Sequence, residues 1–445
     1  MIGILSISQR ISFFEKNIYI FIFIIVSTIF IGMIFPMLSA LATKKISLMG
    51  NSVGSIYLFN TLGNVSGALL TGFIFIPFLG TENSYSFLIF INIFLFVFIS
   101  FKLIKDSNRT SLVISGVILS FPLLYLMNNK GYFSDHYYRN KFGNDIEILY
   151  SYENSMDRKV VLKKGKSRYL LAGPYLSGST DKYRRSVQIL QGHIPMMLSV
   201  KNPSVLEIGY GIGEIAHHIY SYNPSRFDIV EIDPMMIPIA NNYFAKINDC
   251  VSKKERVRTF IMDGRHYLDI TDKTFDVIMN DTFYIISEGA SRLYTYDHFI
   301  TAKKRLSKKG ICIVWVPSNL VRNAALSIIK TFKVVFQNFT AWQMSLNEKK
   351  TDLFLIGYKG GFTLNLEVIR ERYNKFAKEE FKNIGINSFD EFMKGFINRE
   401  IFKDELFSDI RIHTKDRPFI DYTFMQWGKD TEEKQEFTIC KTLLE

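Results

Sequence analysis

The stretch Val205-Leu206-Glu207-Ile208-Gly209-Tyr210-Gly211-Ile212-Gly213 decides the fold of this 445-residue chain. It is an apolar strand that runs directly into alternating glycines, and a second apolar strand ends at Glu231 about 20 residues later. In parallel α/β sheets, such glycines allow a tight turn and a close approach of the backbone to a ligand, and the acid binds ribose hydroxyls. The pattern therefore predicts a nucleoside-cofactor site.

Two more acidic residues follow apolar strands further along the chain. Asp263 and Gly264 come after the strand at 257–262, and Asp281 comes after the strand at 275–280. Ligands of open α/β sheets bind beyond the carboxyl ends of the strands, so these residues are expected at one edge of the sheet. The ordered set of glycines and acids predicts a cofactor site more strongly than a glycine motif alone would.

Each residue of this set has an expected role toward an S-adenosyl compound. Glu207 and the glycine loop would face its amino-acid end, and Glu231 would accept both ribose hydroxyl protons. Asp263 would accept a hydrogen bond from the adenine amino group, and Asp281 would face the substrate. The predicted cofactor-binding residues are Glu207, Gly209, Gly211, Gly213, Glu231, Asp263 and Gly264.

Strands alternate with helices from residue 204 to about residue 358. This order predicts an α/β fold with a doubly wound, Rossmann-like sheet of the class I S-adenosylmethionine type. Before it we expect a β-hairpin over 160–172, a turn-rich loop at 173–180 and a helix at 181–198. The predicted strands are Ser204–Ile208, Phe227–Ile232, Arg256–Met262, Phe275–Asn280, Gly310–Val316, Leu353–Tyr358 and a final strand at Phe419–Phe424.

The first part of the chain has few charges and is rich in Ile, Phe and Leu. It holds apolar segments that each approach the roughly 20 residues of a membrane-spanning helix. Four such helices would place both ends on one side of a bilayer. That side is expected to be cytoplasmic, at the cell (inner) membrane, because nucleoside cofactors of this type are cytosolic. The segments are Ile18–Ala42, Val53–Leu79, Tyr85–Ile104 and Ser111–Met127.

Composition excludes some other classes of protein. The net charge is +12, but no run of basic residues interleaved with aromatic residues occurs, so we expect no nucleic-acid partner. The three cysteines, Cys250, Cys312 and Cys440, are far apart, and no metal-binding spacing of cysteine or histidine is present. The sequence therefore predicts neither a disulfide framework nor a metal site.

The predicted domains follow from these patterns. They are a transmembrane region of about four helices over residues 1–130, a small β-rich part over 131–200, the Rossmann-like cofactor domain over 201–360, and a helical extension with a final strand over 361–445.

Several motifs resemble those of the spermidine synthases, over roughly residues 30–425. The similarity is closer to the membrane-fused, spermidine synthase-like proteins, in which an apolar glycine-containing helix precedes the soluble domain. The motifs that carry it are Gly54–Gly63, Gly72–Pro77, Gly192–Pro195, Val230–Asp233, Asp263–Leu268, Phe275–Ile278, Leu293–Thr295 and Thr414–Pro418.

The resemblance implies transfer of an aminopropyl group from decarboxylated S-adenosylmethionine to a polyamine or other amine. It also implies Asp281 and Tyr284 at the catalytic positions, and a possible homodimer. Two residues depart from the family pattern. Ile212 stands where the family's G-G-G-D-G-G loop has its aspartate, and Tyr284 stands where D-S-x-D has its second aspartate.

Because of these two departures, the sequence does not decide which group is transferred. An attacking amine must lose a proton, and a tyrosine normally carries no negative charge at neutral pH to assist that loss. Asp181 and Glu288 are possible helpers from loops. The alternatives are a methyltransferase that uses intact S-adenosylmethionine, and a non-catalytic membrane protein that binds a nucleoside or polyamine. The expected partners are a small amine and the lipid bilayer.

Overall fold

The computed structural model describes residues 7–43, 45, 47, 49–103, 114, 116, 132–280, 285, 289–318, 320–347, 350–361 and 363–423. The chain divides into two compact units, one over Ile4–Val160 and the other over Val161–Glu445.

The first unit is mainly helical. Two of its helical stretches, Ile24–Ala42 and Met49–Lys102, are long and apolar enough to cross a membrane. Its elements are α1 (Ile7–Ala42), α2 (Met49–Leu70), a π-helical turn (Thr71–Phe75), α3 (Ile76–Leu103), α4 (Tyr132–Phe142) and β1 (Ile146–Glu153).

A break at Gly80 separates two of the predicted apolar segments. Its φ of 75° lies in the left-handed region, which glycine enters without steric cost. The predicted segments 53–79 and 85–104 therefore lie on either side of this residue. The fourth predicted segment, at 111–127, lies outside the described residues except for 114 and 116.

A polar cluster follows this break within the first unit. Glu153 accepts hydrogen bonds from the backbone N–H and the hydroxyl of Thr81. Arg158 pairs with Glu153 at 2.8 Å and with Glu82 at 3.4 Å. Glu153 and Thr81 thereby hold the start of the second half of α3.

The predicted hairpin over 160–172 is present as β2 (Arg158–Lys164) and β3 (Ser167–Ala172). The loop expected at 173–180 is instead mostly a strand, β4 (Tyr175–Ser179), which pairs antiparallel with β3. Gly173, with a φ of 56°, closes a tight turn that brings Ala172 opposite Tyr175. Turn residues at 173–174 thus produce a second hairpin rather than a long loop.

The second unit contains an eight-stranded sheet with the order β12-β10-β11-β9-β8-β5-β6-β7. The strands are β5 (Ser204–Ile208), β6 (Arg226–Glu231), β7 (Val257–Ile261), β8 (Phe275–Asn280), β9 (Leu306–Val316), β10 (Phe339–Asn347), β11 (Lys350–Tyr358) and β12 (Phe396–Asn398).

This topology confirms the predicted Rossmann-like sheet. β5 through β9 pair in parallel, and the order reverses between β5 and β8, where such sheets bind their ligands. β11 is antiparallel to β9, and β10 is antiparallel to both β11 and β12. Neither β10 nor β12 is among the predicted strands.

Helices cover both faces of this sheet. Neighbouring residues of β5 face opposite sides, so Val205 belongs to one apolar core and Leu206 to the other. The helices are α5 (Lys182–Leu198), α6 (Glu214–Ser221), α7 (Met236–Tyr243), α8 (Ala245–Asn248), α9 (Gly264–Ile270), α10 (Tyr296–Arg305), α11 (Arg322–Val335), α12 (Leu366–Arg372), a π turn (Tyr373–Ala377), α13 (Lys378–Ile384), α14 (Phe389–Met393) and α15 (Phe419–Thr423).

The final strand predicted at 419–424 is wrong for the described residues, because 419–423 form helix α15. Pro418 stands directly before this helix, at a position where proline favours a helical start. Ile420 is fully buried in one of the two apolar cores. The apolar pattern therefore reflects one buried face of a short helix.

Candidate active site

The glycine loop between β5 and α6 requires its glycines. Gly209, Gly211 and Gly213 have φ values of 96°, 51° and 76°, in the region that other residues rarely adopt. A Cβ at Gly213 would also lie 2.6 Å from the ring of Tyr210. The backbone conformation therefore favours glycine at all three positions, and close packing favours it at Gly213 as well.

Glu231 is held at the carboxyl end of β6 by two backbone N–H groups. Its Oε2 accepts a hydrogen bond from Tyr210 at 3.0 Å, and its Oε1 accepts one from Asp233 at 2.9 Å. The residue is only 5% exposed. The carboxylate predicted to bind ribose is thus oriented by the glycine loop itself.

Glu207 is fully buried in β5, opposite Ile229 of β6 and Met279 of β8. Burial raises the pKa of Tyr210 to about 12, and the negative charge of Glu207 also contributes to this shift. Glu207 is therefore close enough to the glycine loop to act on it electrostatically.

Asp263 caps the amino end of α9. Its Oδ1 accepts the backbone N–H of Arg265 at 2.7 Å, and its Oδ2 pairs with the guanidinium of Arg265 at 2.9 Å. Partial burial acts to raise the pKa of Asp263, but these hydrogen bonds lower it overall. At Gly264, a Cβ would lie 2.2 Å from Cγ2 of Ile208, so a side chain there would clash with β5. Adenine binding by Asp263 remains a prediction.

Ile212 fills an apolar contact at the loop position where the resembled family has aspartate. It is 1% exposed, and its Cγ2 lies 2.7 Å from where a Cβ on Gly178 would stand. Its carbonyl accepts a 2.8 Å hydrogen bond from Asn248. The loop therefore packs on β4 through a side chain that carries no charge.

The predicted catalytic residues Asp281 and Tyr284, together with Glu288, lie outside the described residues. Asn280, which directly precedes Asp281, ends β8 at the carboxyl edge of the sheet. Its side chain donates to the carbonyl of Leu293 at 3.0 Å and contacts Nε2 of His298 at 3.2 Å. These contacts fix the end of β8, directly before the residues predicted to be catalytic.

Asp181, a possible catalytic helper, has a local structural role. It caps α5, and its Oδ1 accepts the backbone N–H of Arg184 at 3.1 Å. Its other oxygen accepts the hydroxyl proton of Ser179.

A further acid at this edge, Asp352, was missed by the sequence analysis. It is 1% exposed and accepts hydrogen bonds from the hydroxyl of Tyr183 at 2.6 Å and the N–H of Ser318 at 2.8 Å. Burial, followed by the charge of Asp352, raises the pKa of Tyr183. Because β11 pairs antiparallel with β9 and Leu353 lies opposite Val316, Asp352 lies just beyond the end of β9. Asp352 lies within β11 but directly precedes the strand predicted at Leu353–Tyr358, and an acid at that point is the signal that could have revealed it.

Comparisons with known proteins relate this chain to polyamine aminopropyltransferases. Residues 185–347 match the family described as the spermine/spermidine synthase domain. A polyamine aminopropyltransferase 2 from Aquifex aeolicus is 25% identical over 356 residues, which cover 76% of this chain and 70% of that protein. A polyamine aminopropyltransferase from Oceanobacillus iheyensis is 24% identical over 297 residues, which cover 64% of this chain and 56% of that protein.

Among solved structures, a spermidine synthase from Thermotoga maritima is similar over 58% of this chain and 87% of its own, with 16% identity and a TM-score of 0.46. The segment that matches the family contains β5 through β10 and every predicted cofactor-binding residue. The match over residues 185–347 and the curated relatives therefore support a spermidine synthase-like family for this chain.

Proposed function

We propose that the chain is a transferase that moves an aminopropyl group from decarboxylated S-adenosylmethionine to a small amine such as a polyamine. The observation that carries this proposal is the carboxylate of Glu231, bonded to the N–H of Tyr210 within a glycine loop of the family domain. The relatives named polyamine aminopropyltransferases support the same reaction class.

The proposed chemistry is a displacement at a carbon that the sulfonium of the donor makes electrophilic. Most of the rate enhancement comes from holding the amine in line with that carbon. Glu207, Glu231 and Asp263 hold the donor in this proposal. Asp281 receives the proton that the attacking amine loses, and the carboxylate of Asp352 attracts a second ammonium group of the acceptor.

Methyl transfer from intact S-adenosylmethionine is the second candidate function. The observation that favours it is the buried contact of Ile212 with β4. An aspartate at this loop position suits the free ammonium of the decarboxylated donor. Intact S-adenosylmethionine carries its own carboxylate, which an aspartate there would repel.

We also propose that the first unit anchors the chain in the cell (inner) membrane, with the transferase domain in the cytoplasm. No side chain of the stretch Ile24–Ala42 is buried. Phe73 and Phe78 are 72% and 81% exposed. Apolar helices of this length with exposed side chains are better suited to lipid than to water. A homodimer, as the family resemblance implies, is part of the same proposal.

The test is calorimetric titration of the detergent-solubilised chain with each form of the donor, followed by turnover assays with putrescine. Tighter binding of the decarboxylated form and release of methylthioadenosine would support aminopropyl transfer. Tighter binding of intact S-adenosylmethionine would favour methyl transfer, and binding of neither would favour the non-catalytic alternative.

Asp281→Asn gives a test of the proposed base. We expect this variant to lose turnover and to keep its affinity for the donor. Full activity of the variant would remove Asp281 from the mechanism.

A further inference from the structure

Three side chains of types that can bind a metal come together from three helices of the second unit. Nε2 of His193, on α5, and Nδ1 of His218, on α6, lie 2.6 Å and 2.9 Å from the same oxygen, Oε2 of Glu380 on α13. The three donor atoms all lie within 4.8 Å of one another. Both histidines are buried, whereas the side chain of Glu380 is 36% exposed.

Hydrogen bonds alone leave this cluster incompletely satisfied. Without a metal, the ring nitrogens of His193 and His218 that face Glu380 must each carry a proton, because a carboxylate only accepts hydrogen bonds. In neutral His218, that arrangement leaves Nε2 as an acceptor, 3.9 Å from Oε1 of the buried Glu214. Among the described residues, this Nε2 and Oε2 of Glu214 are buried side-chain atoms without a hydrogen-bond partner.

A metal ion would reverse the proton assignment and satisfy more of these groups. Nε2 of His193 and Nδ1 of His218 would then be ligands, and each ring would carry its proton on the other nitrogen. Nδ1 of His193 lies 2.9 Å from the hydroxyl of Tyr222, which can accept that proton. The proton on His218 would face Glu214, whose carboxylate is held by Arg185 at 2.7 Å. Metal-ligating histidines usually donate their second N–H to such a group.

We propose that His193, His218 and Glu380 bind a divalent transition-metal ion, with Zn²⁺ as the best match to two imidazoles and one carboxylate. Ligands of a tetrahedral zinc ion lie roughly 3.3 Å apart, as follows from bond lengths of about 2.0–2.1 Å. Oε2 of Glu380 must therefore move away from each ring nitrogen by less than about 1 Å, and the two ring nitrogens, which lie within 4.8 Å of each other, must come to within about 4 Å for both to reach the ion. The partial exposure of Glu380 permits its movement and leaves a fourth position for water.

The ion would join the carboxyl-terminal part of the domain to the helix that follows the glycine loop. His218 lies one helical turn after Glu214, which begins α6, and Glu380 belongs to the helical region after the sheet. The site is therefore separate from the carboxylates predicted to bind the donor. Metal binding at this site does not depend on which group the domain transfers.

The test is titration of the detergent-solubilised full chain with Zn²⁺ alone, after removal of bound metal with a chelator. We expect one tight site per chain, and Co²⁺ in its place should give the visible absorption of a four-coordinate ion. Glu380→Gln should weaken Zn²⁺ binding at least 100-fold, and Glu214→Gln should weaken it about 10- to 100-fold.

His217→Gln is the matched control, because His217 is the neighbouring, half-buried histidine on α6 and lies outside the ligand set. It should leave Zn²⁺ affinity unchanged. Since Glu380 is partly exposed, circular dichroism should show that its variant remains folded. The proposal would be overturned if the wild-type chain failed to bind Zn²⁺ or if Glu380→Gln bound it equally well. The three side chains would then form a hydrogen-bonded ion-pair cluster without a metal.

Discussion

The backbone N–H of Tyr210 donates a 3.0 Å hydrogen bond to Oε2 of Glu231. This contact joins the glycine loop after β5 to the acid that ends β6. The second carboxylate oxygen accepts the N–H of Asp233 at 2.9 Å, so the two bonds restrict the rotation of the carboxylate. One side chain thereby orders the loop and presents the group predicted to bind ribose.

Glu231→Gln should weaken binding of decarboxylated S-adenosylmethionine by about 1–3 kcal/mol. An amide has one acceptor oxygen, so its NH₂ group must face the N–H of either Tyr210 or Asp233. Isothermal titration calorimetry measures the loss, with the exposed Glu255→Gln as the control. Equal affinity of the wild-type chain and the Glu231 variant would show that the donor binds elsewhere.

Gly264→Ala should destabilise the domain by about 1–3 kcal/mol, because its Cβ would lie 2.2 Å from Cγ2 of Ile208. Gly361→Ala is the matched control, since no described heavy atom beyond its chain neighbours lies within 4 Å of its Cβ position. Chemical unfolding followed by fluorescence compares the two variants. If the Gly264 variant were as stable as the control, β5 and α9 would be able to move apart with little loss of free energy of unfolding.

Ile212→Asp should destabilise the domain by at least about 3 kcal/mol, because it places an unpaired charge in the apolar contact with Gly178. Ile212→Val keeps the contact apolar and should cost only about 0.5–1.5 kcal/mol. The same unfolding assay measures both. If the aspartate variant were as stable as the valine variant, the loop would have room for a hydrated carboxylate.

Asp352→Asn should raise the KM for the amine at least tenfold and leave the affinity for the donor unchanged. The variant keeps an acceptor for Tyr183 or Ser318 but loses the negative charge that attracts an ammonium group. Tyr183→Phe keeps that charge and should change the KM less. Steady-state kinetics at saturating donor separate the two effects, and an unchanged KM in Asp352→Asn would exclude this carboxylate from acceptor binding.

Stability should fall as the pH falls below about 6.5. Burial lowers the pKa of His298 to about 3, whereas a histidine in the unfolded chain titrates near 6.5. Between these values the unfolded state binds one more proton at this residue, which favours unfolding by about 1.4 kcal/mol per pH unit. Unfolding measured from pH 6.5 to pH 4 should show a slope that includes this contribution, added to that of other buried histidines such as His193, whose pKa burial lowers to about 4.

The variant His298→Gln tests the assignment of that slope, because glutamine can still donate to Asn280 and does not titrate. It should reduce the pH dependence by about one proton. The exposed His266→Gln should leave the pH dependence as it is. An unchanged slope in the His298 variant would assign the acid sensitivity to other groups.

Local sequence determined the parallel half of the sheet and the glycine loop. The strands at 204–208 and 275–280 have the predicted bounds, and Glu231 lies at the end of β6 as expected. These features depend on apolar runs, on glycines that must adopt positive φ, and on acids that directly follow a strand. Each of these requirements can be satisfied by residues that are neighbours in the chain.

Tertiary structure alone decided which distant residues meet. Tyr183 and Asp352 are 169 positions apart, and they meet because β11 returns antiparallel beside β9. His193 and Glu380 are 187 positions apart, and they meet because α13 packs beside α5. Neither pair leaves a periodic pattern in the sequence, since the direction of β11 and the packing of α13 depend on apolar surfaces contributed by the whole domain.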